Sequence, residues 1–142
     1  TIAMTYDNVY VAAISLGANM NQAIRAINEA EQYNGPALII AYAPCIAHGI
    51  EGGMKNSSKV EALATECGYW PIFRYSNDMG LVIDSNPPLF EKYEAFLNNE
   101  RRYAMLKVVN ETSATELLEL NKLSAINRYN KLQKLIEKKA TE

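Results

Sequence analysis

The sequence predicts an α/β fold, the second half of an open, mostly parallel sheet followed by C-terminal helices. Two apolar runs, Val9–Ile14 and Ala37–Tyr42, each fit a β-strand that is buried on both faces. The segment between them has helical periodicity, and a strand–helix–strand unit joins parallel strands through a right-handed crossover. Because at most four short strands are predicted, we expect the first strands of the sheet to lie outside this sequence.

The first helix is predicted over residues 20–33. Asn19 and Gln22 have the spacing of a capping box at its start. The segment 34–36, Asn-Gly-Pro, ends it. One apolar face is expected to pack on the sheet, formed by Met20, Ala23, Ile24, Ile27 and Ala30.

A long loop is predicted from Ala43 to Met54, because this stretch carries one proline and three glycines. The loop follows the second strand, so it begins at the carboxyl edge of the sheet. Ligands of open α/β sheets bind at that edge. We therefore expect the candidate functional residues of this segment to lie in this loop.

The second half of the chain contains a helix, two strands and more helices. Ser58 and Glu61 are predicted to cap a helix that ends at Gly68, with an apolar face formed by Val60, Leu63, Ala64 and Cys67. Strands are predicted at Trp70–Tyr75, where Pro71 favours an edge or a strand start, and at Leu81–Ile83.

A C-terminal helical extension is predicted over residues 87–142, packed on an α/β part formed by residues 1–86. Pro87 and Pro88 open a first helical stretch, and Ser113 with Glu116 forms a second capping box. A long helix follows, and its basic residues are expected to form a solvated face: Lys131, Lys134, Lys138 and Lys139.

The composition is that of an ordinary folded domain, with 49% apolar and 21% charged residues. A net charge of −2 shows no basic surplus, so no nucleic-acid partner is predicted. The longest apolar run, Ala37–Ala43, has seven residues, whereas a membrane-spanning helix needs roughly 20. The first residue is Thr1 rather than Met, and we expect a processed, cut or partly observed chain. Two cysteines without a secretory signal predict reduced thiols and a cytoplasmic location.

Cys45 and His48, the single histidine, lie three residues apart in the glycine-rich loop. A nucleophilic Cys–His pair is one interpretation, although no third group that would orient the imidazole is evident. A metal site is a second, but it needs more ligands than this sequence offers. A buried loop thiol with an exposed histidine is the third. Cys67, on the apolar face of a helix, is expected to pack in the core.

The residues of several blocks, in order along nearly the whole chain, resemble the C-terminal part of pyruvate:ferredoxin (flavodoxin) oxidoreductase. Their combined length makes the signal more specific than any single motif. The blocks are Val9–Ala12, Met20–Ala30, Gly35–Ile46, His48–Ile50, Gly52–Met54, Gly68–Tyr75 and Arg102–Ala104. The resemblance implies the second half of a thiamine-diphosphate-binding domain.

The resemblance also implies a function, the oxidative decarboxylation of pyruvate to acetyl-CoA on thiamine diphosphate held through Mg²⁺. Electrons would leave through [4Fe–4S] clusters to ferredoxin or flavodoxin, coenzyme A would be the second substrate, and the full enzyme would be a homodimer. By position, Cys45 corresponds to the fourth ligand of the cluster nearest the thiamine. The other three cysteine ligands and the diphosphate-binding segment are upstream in the family, so the isolated chain is predicted to be inactive.

Two departures from the family pattern are visible. Ala47 stands where asparagine is usual, and the stretch between Tyr75 and Asp84 is shorter than in relatives. An alternative function is a non-catalytic α/β module or split subunit that stabilises a partner chain. Cys45 separates the two hypotheses, because a purely structural module needs no thiol there. A reading frame that continues upstream into a thiamine-binding segment would favour the enzyme.

Overall fold

The computed structural model of the chain describes residues 2–139, and within them the predicted α/β class is confirmed. The helices and strands are, in chain order, β1 (Tyr10–Ile14), α1 (Met20–Gln32), β2 (Ala37–Ala41), α2 (Ser57–Glu66), β3 (Phe73–Ser76), β4 (Gly80–Ile83), α3 (Tyr93–Asn98), α4 (Arg101–Val109) and α5 (Glu111–Lys139). Single-turn 3₁₀ helices lie between several of them. Among residues 2–139, no helix is both long and apolar enough to cross a bilayer.

The four strands form one mixed sheet in the order β2–β1–β3–β4. β1 and β2 run parallel, as the strand–helix–strand unit predicts. β3 runs antiparallel to both β1 and β4. The turn between β3 and β4 contains only residues 77–79, and a connection this short can join only antiparallel strands.

The two predicted buried strands differ in their surroundings. Every residue of β1 is buried, as predicted. For β2 the prediction of a buried strand is wrong, because Ala37, Leu38 and Ala41 are exposed. β2 is an edge of the sheet in the described part of the chain, so one side of it lacks a neighbouring strand there.

Helix α1 packs on the sheet through small residues. Asn19 caps it, since its Oδ1 accepts a hydrogen bond from the Gln22 amide at 3.0 Å. The predicted apolar face is wrong in part: Ala23 is buried, but Ile24 and Ile27 are about half exposed. Gln22, Ala23 and Ala26 are the buried residues of α1. The two alanines have short side chains, so the helix can approach the strand closely.

Helix α2 confirms its predicted apolar face, because Val60, Ala64 and Cys67 are fully buried. The predicted capping role of Ser58 and Glu61 is wrong. The Glu61 carboxylate instead accepts a hydrogen bond from the backbone N–H of Gly17 at 2.7 Å. That carboxylate therefore fixes the turn after β1 rather than the start of α2.

The C-terminal helices pack on α2 and on the sheet. Tyr93 and Phe96 of α3 and Ala125 of α5 join the core formed by α2. The predicted start of the long helix is wrong, because α5 begins at Glu111 and Asn110 Oδ1 accepts from the Ser113 amide at 3.0 Å. Two lysines of the predicted solvated face, Lys131 and Lys134, are exposed. The side chains of Lys138 and Lys139 and all of residues 140–142 lie outside the described part.

Candidate functional site

The loop that carries Cys45 begins where β2 ends, at Tyr42. The Tyr42 amide donates a hydrogen bond to the carbonyl oxygen of Ile14, the last residue of β1, at 3.0 Å. The loop therefore leaves the sheet where two parallel strands end together. This is the carboxyl edge at which α/β proteins bind their ligands.

Cys45 is exposed and precedes a single turn of 3₁₀ helix, Ile46–His48, so the interpretation as a buried loop thiol is wrong. Its Sγ accepts a hydrogen bond from the backbone N–H of Ala47 at 3.2 Å. The backbone N–H of Cys45 points to Nδ1 of His48 at 3.5 Å. The sulfur thus contacts the backbone of Ala47, whereas the imidazole contacts the backbone of Cys45. Both contacts close the turn on itself and present the thiol to solvent.

A short segment before α4 holds the far end of the loop. Glu51 donates its backbone N–H to the Asn99 carbonyl at 3.0 Å, and Arg101 donates to the Gly49 carbonyl at 2.9 Å. These bonds flank an antiparallel bridge between Ile50 and Glu100. Gly49 has φ +67°, and a Cβ placed there would lie 2.6 Å from Cβ of Arg101. The contact therefore requires glycine at this position.

The side chain of Glu100 is fully buried beneath the loop. Its Oε2 accepts a hydrogen bond from Nε of Arg102 at 2.6 Å. Its Oε1 lies 3.4 Å from the Tyr42 hydroxyl, which donates to it, and 3.5 Å from Nδ1 of His48. One carboxylate thus touches residues on both sides of Cys45.

An aromatic cluster supports the start of the loop. The ring of Tyr42 packs 5.7 Å from Trp70 and 5.9 Å from Tyr69, and Tyr69 packs 4.6 Å from Phe96, all between centroids. Burial raises the pKa of Tyr42 well above its usual range, and the negative charge of Glu100 raises it further. Tyr42 is therefore a neutral hydrogen-bond donor to Glu100 at neutral pH.

The two cysteines occupy opposite environments. Cys67 is fully buried, and its Sγ lies 3.6 Å from the Ala64 carbonyl oxygen. Burial raises the pKa of Cys67 to about 11, so this thiol stays protonated at neutral pH. Its predicted role in core packing is confirmed. Of the two cysteines, only Cys45 is accessible to a ligand or a reagent.

The described residues offer one sulfur ligand at this edge and no complete metal site. Within residues 2–139, no group of three or more His, Cys, Asp and Glu side chains is arranged to hold a metal ion. A thiolate is the ligand that iron–sulfur clusters take from proteins, usually four per cluster. The exposed thiol of Cys45 could serve as one such ligand only where other segments supplied the rest.

Cys45 and His48 contact each other through the backbone N–H of Cys45 and not through the thiol. Arg102 belongs to the block Arg102–Ala104 that carries the family resemblance, whereas Glu100 was missed by sequence reasoning. No local pattern marks Glu100, because its contacts with Tyr42 and His48 depend on how α4 docks. A glutamate followed by two arginines, as at Glu100–Arg102, is a common surface pattern.

No family model matches the chain. Among curated proteins, it is 42% identical over 140 residues to pyruvate-flavodoxin oxidoreductase of Enterobacter agglomerans, covering 94% of this chain and 12% of the relative. It is 39% identical over 142 residues to pyruvate:ferredoxin oxidoreductase of Moorella thermoacetica, with 96% and 12% covered. It is 36% identical over 143 residues to the mitochondrial pyruvate dehydrogenase [NADP(+)] of Euglena gracilis, with 96% and 8% covered.

The similarity extends over almost all of this chain but over only a small part of each relative. The chain spans about an eighth of the length of the first two relatives and less of the third. The predicted resemblance is confirmed by identities well above those that chance would give at this length. By its sequence, the chain belongs to the pyruvate:ferredoxin/flavodoxin oxidoreductase family and corresponds to one segment of it.

Proposed function

We propose that this chain is part of an enzyme that oxidatively decarboxylates pyruvate to acetyl-CoA, and that Cys45 is one ligand of its [4Fe–4S] cluster nearest the thiamine diphosphate. The observation that supports this proposal is the exposed thiol of Cys45 on a fixed loop at the carboxyl edge of two parallel strands. A cofactor bound at that edge would lie close to a cluster held by Cys45.

The rest of the cofactor machinery would come from outside these residues. Thiamine diphosphate supplies the decarboxylation chemistry, and Mg²⁺ holds its diphosphate. In this proposal residues 1–86 complete a thiamine-diphosphate-binding sheet, and residues 87–142 form the helical extension that secures the Cys45 loop. Coenzyme A, pyruvate and a flavodoxin or ferredoxin bind the full enzyme, which is a homodimer. Both cysteines are free, which is consistent with the reducing cytoplasm.

The decisive experiment compares two serine substitutions in the full-length enzyme that contains this segment. Cys45→Ser is expected to remove or severely perturb the cluster nearest the thiamine, because an alkoxide is a poorer iron ligand than a thiolate. Cys67→Ser is the matched control, since it also replaces sulfur by oxygen but lies in the core. It should cost stability only, about 1–3 kcal/mol for a buried hydroxyl.

Iron content and the electron paramagnetic resonance spectrum of the reduced enzyme distinguish the outcomes. Iron and spectrum unchanged by Cys45→Ser, or a cluster lost with Cys67→Ser, would overturn the ligand assignment. An unchanged cluster in Cys45→Ser would instead favour the alternative, a module that only stabilises its partner. The exposed apolar residues of β2 are the observation that favours this alternative. A partner chain that covered them would be stabilised by the contact whether or not Cys45 holds iron.

The isolated chain is proposed to be inactive and to lack tight thiamine diphosphate binding. Within residues 2–139 no set of acidic side chains is arranged around a metal ion, and the diphosphate of this cofactor is held through Mg²⁺. Titration calorimetry of the isolated chain with thiamine diphosphate and Mg²⁺ should give no heat of binding. Micromolar binding would contradict the proposal.

A further inference from the structure

Glu100 is a buried charge whose position the stability of the fold does not explain. It has no exposed surface, and its ion pair with Arg102 joins two residues of one short segment. Burying an ion pair costs desolvation, and well-packed apolar side chains often stabilise a core as much or more. A carboxylate retained at this place therefore calls for a role besides core stability.

The contacts of Glu100 converge on the Cys45 loop from both directions. Oε1 accepts a hydrogen bond from the hydroxyl of Tyr42 at 3.4 Å and lies 3.5 Å from Nδ1 of His48. Without a proton, that nitrogen accepts the backbone N–H of Cys45 at 3.5 Å, and with a proton it donates to Glu100 instead, so it bonds only one of the two at a time. The backbone of Glu100 forms the bridge to Ile50 on the far side of the loop.

Two physical effects would follow if Cys45 holds iron. The hydrogen bond to Tyr42 and the backbone bridge to Ile50 fix the two ends of the loop from which the thiolate projects, as groups beyond the ligands do in other metal sites. The negative charge of Glu100, buried and poorly screened by solvent, would oppose the addition of an electron to a nearby cluster. Arg102 carries the opposite charge, but its side chain is 36% exposed, so solvent screens it more than it screens the fully buried carboxylate.

We propose that Glu100 is a positioning residue for Cys45, which holds the cysteine loop in place and makes the reduction potential of the cluster more negative. This inference rests on the proposed function, because it assumes that Cys45 is a cluster ligand.

The test uses the full-length enzyme with Glu100→Gln, which keeps the size and hydrogen-bonding shape of the side chain but removes its charge. The cluster nearest the thiamine is titrated with reductant and followed by electron paramagnetic resonance, together with iron content and a thermal melt. We expect a bound cluster whose midpoint potential shifts to a more positive value. Glu66→Gln, which breaks an exposed pair with Lys92 on another surface, is the control and should leave the potential unchanged.

The double variant Glu100→Gln with Arg102→Gln separates charge from folding. It removes both members of the buried pair, so the potential should return towards that of the parent enzyme. Loss of the cluster in Glu100→Gln with an unchanged melting temperature also supports the positioning role. An unchanged potential with full iron content would overturn it. Equal losses of iron and thermal stability in the single and double variants would overturn it as well, because Glu100 would then be only a folding residue.

Failure of this inference is distinguishable from failure of the proposed function. A cluster that survives Cys45→Ser overturns the proposed function, and with it the basis of the role assigned to Glu100. A cluster that is lost in Cys45→Ser, combined with an unchanged potential in Glu100→Gln, overturns only the role of Glu100.

Discussion

Strands β1 and β2 contain nearly the same kinds of residues, yet β1 is buried and β2 is exposed. Val11 of β1 is paired in register with Leu38 of β2, and Val11 is 0% exposed whereas Leu38 is 42% exposed. The cause lies in what covers them. Leu132 of helix α5 packs in a cluster with residues of β1, β3 and β4, and among the described residues this cluster contains none from β2.

The difference shows that this segment completes one part of a structure and leaves another part open. A groove of about 1200 Å³ runs beside α5 and is lined by Ile40 of β2 together with apolar side chains of the helix. On the opposite face of the sheet, helix α1 also exposes apolar residues, since Ile24 and Ile27 are about half exposed. The Cys45 loop, by contrast, is held by a bridge and a buried carboxylate. The Cys45 loop is therefore held in place by contacts within this segment, whereas strand β2 of the sheet is left partly uncovered.

The sharpest test of this comparison truncates the two paired residues in the isolated chain. Val11→Ala should cost about 2–3 kcal/mol of unfolding free energy, because it removes two buried methyl groups and leaves a cavity. Leu38→Ala removes more carbon but should cost less than about 1 kcal/mol, since much of Leu38 is already in water. Urea denaturation measures both values.

The same Leu38→Ala substitution in the full-length enzyme provides the contrast. If a neighbouring segment covers β2 there, the cost should rise to the range of a buried leucine, about 2–5 kcal/mol. Equal, small costs in both settings would contradict the idea that β2 is covered in the enzyme.

A second prediction concerns association of the isolated chain. Exposed apolar strand edges pair with other chains, so the chain should elute as a dimer or larger assembly, or bind a hydrophobic dye strongly. Leu38→Lys should reduce both, because a lysine on an edge strand opposes pairing. Asn130→Lys, at an exposed position of α5, adds the same charge elsewhere and should change neither. A dye-silent, sharply melting monomer would show that the sheet is covered after all.

A third prediction tests the fixed loop with two glycines that both have positive φ. Gly49→Ala should destabilise the chain by about 1–3 kcal/mol, since it adds backbone strain and a clash with Arg101. Gly53→Ala makes no clash, because a Cβ there meets nothing within 4 Å, but its φ of +81° and ψ of −176° lie in a region that essentially only glycine adopts, so its cost comes from backbone strain alone. The clash with Arg101 is isolated by measuring Gly49→Ala also together with Arg101→Gly, which lacks the opposing Cβ: thermal denaturation should give a smaller cost of Gly49→Ala in that background. An equal cost in both backgrounds would mean that the contact with Arg101 does not limit this position.

The last prediction concerns the pH dependence that the buried thiol of Cys67 contributes to stability. Burial raises the pKa of Cys67 from its ordinary value of 9.0 to about 11, so the folded chain keeps a proton that the unfolded chain loses. Its contribution to stability is fully present below pH 9 and is lost as the pH rises to about 11. Cys67→Ala should flatten this part of the stability–pH curve, whereas Cys45→Ala should not. An identical slope in both variants would exclude Cys67 as its source.

The comparison of the two strands also marks the limit of what the sequence predicts about the fold. Periodicity identified both strands, the helix between them and their parallel pairing, because these follow from local residue patterns. The same patterns failed at Glu61, which resembles a capping residue but bonds Gly17 across the fold. They failed again at Ile24 and Ile27. The helical spacing of these residues predicts that they pack on the sheet, but both side chains are about half exposed.

The sequence by itself determined the α/β class, the family and the two candidate residues of the loop, Cys45 and His48. Each of these depends on residue identity and spacing along the chain. Only the tertiary structure decided that β2 is exposed, that Cys67 is buried and that Glu100 lies beneath the loop. Burial and ion pairing depend on which distant segments meet, and a pattern of neighbouring residues carries no information about a partner that arrives from α4 or α5.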